Sequence, residues 1–149
     1  MANKKSTRVD GGIGITGSRA GEVLADEGLV TLLKADLETD NQLGEFVILP
    51  AGHVPVDLII FAGDGSTGAD IVFDVGVLNG DGDDLEANQN FITGSTAAQA
   101  GGVARAAVAG GLQLTASTSD RVIAMKITTP ATTGTASANF TARLLFRPA

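Results

Sequence analysis

His53 is the single histidine of this 149-residue chain, which has no cysteine, so every histidine-dependent mechanism must pass through it and none can use a thiol. A serine–histidine–carboxylate arrangement needs a serine held against the imidazole and a carboxylate behind it. Ser66, Ser95 and Asp57 are the partners to hand, and no local signature surrounds any of them. His53 itself lies in Pro50-Ala51-Gly52-His53, a turn running into an apolar stretch, and reads as a surface turn residue. Gly12, Gly14 and Gly17 have the spacing of a dinucleotide loop, but polar sequence precedes them and no helical pattern follows. That motif works only where a buried strand passes into a helix N-terminus, so the match is taken as accidental. Oxygen ligands concentrate at 79–86, where Asn79, Asp81 and Asp83 take the first, third and fifth positions of a calcium loop. Asp84 then stands where such a loop demands glycine and Asn90 where it demands a bidentate glutamate. Asn79, Asp81 and Asp83 are therefore half of a metal motif, set against the plainer reading of a solvated acidic hairpin.

Composition narrows the function further. With 17 acidic and 10 basic residues the formal charge is −7, which lacks the basic footprint that nucleic acid requires. All six aromatic residues are Phe, without Trp or Tyr, so the flat amphipathic platforms used to bind sugars and bases are missing. A glycosidase would need two acids flanking a cleft, whereas the acids here fall mostly in turns and on wet strand faces. No apolar run is long enough for a membrane span and no signal peptide is visible, so a cytoplasmically made product without a membrane partner is expected. These residues suggest no enzyme, no catalytic centre and no cofactor.

The elements around these residues are strands separated by turns. Ala138, Phe140, Ala142, Leu144 and Phe146 alternate with Ser137, Asn139, Thr141, Arg143 and Arg147, the period of a strand with one buried and one wet face. Ile71, Phe73, Val75 and Val77 give the same signal within 70–78, and Val54, Val56, Leu58 and Ile60 within 54–62. Pro55 assigns the latter an edge or the first residues of its strand. Further strands are expected at 29–35, 46–49, 90–93, 111–115 and 121–128. The connectors are rich in Gly, Asp, Asn and Pro. Residues 95–109 have helical composition interrupted by Gly101-Gly102, enough for one short turn. The small-residue run 97–108 is suited to close packing, in the core or against a neighbour. The expectation is an all-β, single-domain, jelly-roll-like β-sandwich over residues 23–149. Residues 1–22 read as an extended N-terminal arm carrying Lys4, Lys5, Arg8 and Arg19, a positive segment on an acidic protein that suits docking on an acidic surface.

The run 48–84, ILPAGHVPVDLIIFAGDGSTGADIVFDVGVLNGDGDD, with DRVIAMKI at 120–127 and TARLLFR at 141–147, resembles the head decoration, or capsid cement, proteins of tailed bacteriophages. The resemblance covers roughly 100 of the 149 residues and rests on strand and turn motifs. It implies a structural virion protein, a β-sandwich homotrimer on the capsid exterior at threefold or quasi-threefold positions, with the major capsid protein as partner. No catalytic residues come with it. Lys4, Lys5 and Arg8 are the expected capsid-docking residues. The alternatives are another virion part, such as a head fibre base or tail subunit, and a host-facing carbohydrate-binding module.

Overall fold

The computed structural model describes residues 2–6 and 22–149. The described strands form two sheets, with order β1-β3-β8-β5-β6 in one and β2-β9-β4-β7 in the other. They are β1 (Lys4–Lys5), β2 (Leu24–Leu33), β3 (Leu43–Leu49), β4 (His53–Ala62), β5 (Val72–Leu78), β6 (Leu85–Ser95), β7 (Gly102–Arg105), β8 (Arg121–Thr129) and β9 (Ser137–Pro148). Apart from β1, the chain yields two facing four-stranded antiparallel sheets in which successive strands mostly change sheet. That interleaved order is the double-sheet jelly roll. Among the described residues, two short helices, α1 (Lys34–Leu37) and α2 (Ala109–Leu112), and a 3-10 turn at Ala97–Gln99 complete the elements.

Alternation decides which side chains enter the sandwich. Ala138, Phe140, Ala142, Leu144 and Phe146 of β9 are all buried, as are Ile71 before β5 and Phe73, Val75 and Val77 within it. The two sets meet across the sandwich where the Phe73 and Phe140 rings pack edge to face, centroids 5.8 Å apart. Leu32, Phe46, Leu49, Leu58, Ile60, Phe91 and Ile127 fill the same core. Gly28 of β2 is required by backbone approach: a Cβ there would lie 2.0 Å from the Phe46 carbonyl oxygen of β3, where the edges of the two sheets close.

Several local expectations need correction. The alternation through Val54, Val56, Leu58 and Ile60 breaks at a bulge between Pro55 and Asp57, which turns Pro55 inward and leaves Val56 exposed. Pro55 is tolerated because β7 pairs only with Ile59, Ile60, Phe61 and Ala62 and leaves that part of β4 without a neighbour on one side. Residues 111–115 are not a strand: Ala109–Leu112 is a helical turn, with Gly111 packed so tightly on Phe91 that a Cβ would fall 2.6 Å from the ring. The run 97–108 holds both the expected helical turn and an edge strand, β7, hidden by its small residues. The strand expected at 29–35 begins earlier, at Leu24, and ends at Leu33 before α1. Of the segment read as an arm, residues 2–6 lie on the first sheet, where β1 pairs in parallel with β3.

Candidate functional site

Strand direction gathers the chemically capable side chains at one end of the sandwich. There β3 ends, β4 begins, β5 turns into β6, β8 begins and β9 finishes. His53 opens β4 there. Its Nδ1 stands 2.9 Å from the Ala51 carbonyl oxygen and its ring packs edge-on to Phe146, centroids 5.5 Å apart. The side chains considered as its catalytic partners are engaged elsewhere. Ser66 donates to Asp70 at 2.5 Å, Ser95 accepts the Ala97 amide at 3.3 Å, and Asp57 takes both Nε and a terminal nitrogen of Arg105, at 3.0 and 2.9 Å.

The 79–84 turn is organised from within. Asn79 donates its side-chain amide to Asp83 at 2.8 Å and accepts the Asp83 and Asp84 backbone amides, while Gly82 supplies a φ of 74°. Asp84 pairs with Lys126 at 2.7 Å, and this contact with the Leu85 amide holds its carboxyl below the usual range. The Asn79 carboxamide oxygen, the first of the proposed calcium ligands, is thus already used on two amides. Among the described residues no three His, Cys, Asp or Glu side chains are grouped to hold a metal. Beside this turn a cleft of about 330 Å³ is lined by Leu78, Asn79, Glu86, Gln89, Asp120 and Arg121, among others. Arg121 donates to the His53 carbonyl at 3.2 Å, and burial pushes its guanidinium pKa down. The carboxylates of Glu86 and Asp120 leave this cleft without the single-sign charge that would select an anion.

Lys4 and Lys5, two of the three expected docking cations, form β1 and so line the outermost edge of the first sheet, beside β3. Lys4 stands 3.5 Å from Asp36 and Lys5 3.8 Å from Glu45, with 39% and 46% of the two lysine side chains exposed. Both contacts are long, and in each the carboxylate is the less exposed group, at 14% for Asp36 and 5% for Glu45, so the lysines are partly engaged by their own chain. Hydrogen bonds anchor the segment: Asn3 donates to the Glu45 carboxylate and to the Gly82 carbonyl, both at 2.8 Å, Gln42 donates to the Ala2 carbonyl at 3.0 Å, and the buried Ser6 hydroxyl donates to the Phe46 carbonyl. Arg8, Arg19 and the Gly12-to-Gly17 motif lie outside the described residues.

At the opposite end, α1 and the loops 63–71 and 130–136 are clasped together. Asp70 accepts from the Ser66 hydroxyl and, at 2.9 Å, from the Thr132 amide; these bonds, with one from the Thr132 hydroxyl, lower its pKa to about 2. Glu38 is lowered by its bond from Lys34 and by the Gly134 amide at 2.9 Å. Both carboxylates bind loops to one another. A feature that local reading missed lies on the outer face of the second sheet, where Leu29, Phe61 and Val103 are exposed. Their alignment depends on strand register, and no spacing along the chain announces it.

The fold and these surfaces define an all-β jelly roll whose polar clusters tie turns together and whose open features are faces and edges. No protein-family model and no curated protein matches the chain. Among solved structures it is similar to a chain in the capsid of Ralstonia phage GP4, with 26% identity, 99% of both chains covered and a TM-score of 0.83. It also shares its fold with a chain in the capsid asymmetric unit of cyanophage Pam1, at 19% identity, with 91% of this chain and 92% of that one covered and a TM-score of 0.65. The chain is thus related to components of phage capsid structures.

Proposed function

We propose that this chain is a structural virion protein, a decoration or cement subunit that binds the outside of a phage capsid as a homotrimer. It would sit at threefold or quasi-threefold positions and stabilise the shell through contacts with the major capsid protein. The observation that carries this reading is the end-to-end likeness to a chain in the capsid of Ralstonia phage GP4, which covers 99% of both chains. The Gly-rich turn sequences quoted above and the partly exposed cations Lys4 and Lys5 support the same reading. Modest contacts suffice for such a role, because a trimer presents three linked binding surfaces and gains avidity without new chemistry.

Quantitative mass spectrometry of purified virions tests the reading. Copies of this chain should stand in a fixed, lattice-set ratio to the major capsid protein. A handful of copies per particle would instead indicate a fibre base or tail subunit, and absence from virions would overturn both.

A further inference from the structure

The six large hydrophobic side chains exposed among the described residues are Val23, Leu29, Leu33, Val56, Phe61 and Val103. All belong to the β2-β9-β4-β7 sheet or to the residue leading into it; none is on the other sheet. Register converts three of them into one row. Leu29 is opposite Thr141, Thr141 opposite Phe61, and Phe61 opposite Val103, so the row crosses all four strands. The adjacent row reads Glu27, Arg143, Ile59, Arg105. Its charges are neutralised within the chain. Arg143 donates to Glu27 at 2.8 Å with its guanidinium 5.2 Å from the Phe61 ring centroid, and Arg105 is bound to Asp57.

We propose that this outer face, centred on Leu29, Phe61 and Val103, is the surface through which copies of this chain associate; the inference rests on the trimeric reading above. Charge favours a second copy over other occupants. The face carries Glu27 and Asp57 against Arg105, Arg143 and Arg147, a net of +1 on a chain of −7, so the remaining surface is strongly acidic. Copies approaching through their acidic surfaces meet like charge, whereas here they meet apolar side chains flanked by satisfied ion pairs. Two of its three arginines are held by the chain's own carboxylates, so the face is not built to recruit an acidic partner. Val103, at the sheet edge and 62% exposed, is the side chain with most to lose to water.

The test is the absolute mass of the full-length protein by light scattering with refractive-index detection, for the wild type and for Val103→Glu and Leu29→Glu. Thr128→Glu, exposed on the other sheet, is the charge-matched control. The expected result is a trimer for wild type and control, and at least a tenfold weaker association for each face variant, with an unchanged far-ultraviolet circular dichroism spectrum. Both face positions are solvent-exposed, so one folded variant is enough to decide. Face variants that keep the wild-type mass, or a monomeric wild type, would overturn the inference. Variants that keep the mass but lose capsid binding would assign the face to the shell, overturning this inference while leaving the decoration role intact. That role fails separately, on the virion copy number.

Discussion

Asp70 shows how one carboxylate can hold two distant loops. Its pKa is lowered from 3.8 to about 2, first by the Ser66 hydroxyl and then by the hydroxyl and amide of Thr132. A depressed native pKa means that the unfolded chain binds a proton more readily. The stabilisation is therefore fully present above the unfolded value of 3.8 and is lost as pH falls toward about 2. Urea midpoints measured from pH 6 to 2 should fall steeply for the wild type in this window, roughly between pH 5 and 2. For Asp70→Asn the fall should be shallower, and the midpoint at pH 6 lower. A wild-type and variant pair with parallel pH profiles would remove Asp70 from this role. The Asp70 pairing is invisible to sequence reading, since Thr132 is 62 residues away and only the jelly-roll connection brings the two loops together.

At the scale of elements, the strands with strict alternation were legible, and the parts whose form depends on neighbours were not. The inward and outward sides of β9 follow directly from its residue types, because period two runs along the strand with Leu145 as the one apolar exception on the outer face. β4 shows the limit: its apolar residues continue past Val56, but a bulge moves that side chain to solvent, and pairing with β9 sets the bulge. β7 has only Gly, Val, Ala and Arg, too short and too small-residued to signal a strand until β4 offers an edge. The same logic covers the candidate site. Lys4 and Lys5 could be singled out from charge, but their place beside β3 needed the fold. The exposed row on the second sheet needed the register of four strands. Core energetics follow from the legible part. Phe73→Ala and Phe140→Ala should each cost about 3–5 kcal/mol in urea unfolding, and the double variant should fall short of additivity by about 0.5–1.5 kcal/mol because the rings pack on each other. Full additivity would mean that the edge-to-face contact contributes nothing of its own.

The whole molecule joins a closed aliphatic core to an asymmetric surface. One sheet face is apolar and nearly neutral, while the rest is acidic apart from the cations near the N-terminus, Lys4, Lys5 and, by sequence, Arg8. In the proposed role those two departures from an acidic surface would serve separately, the sheet face in contacts between copies and the N-terminal cations on the shell. The division gives shell binding an electrostatic part that weakens as salt rises, since exposed charges are screened over about 8–10 Å at physiological ionic strength. Contacts between copies, being apolar, should be far less sensitive to salt.

The decisive experiment for a capsid-binding role is co-sedimentation of the purified protein with phage shells stripped of it, using expanded and unexpanded shells side by side. Saturable binding to expanded shells with lattice stoichiometry is expected, with no binding to unexpanded ones and an affinity that falls with salt and on replacing Lys4, Lys5 and Arg8 together by alanine. Failure to bind either form of shell would contradict that role.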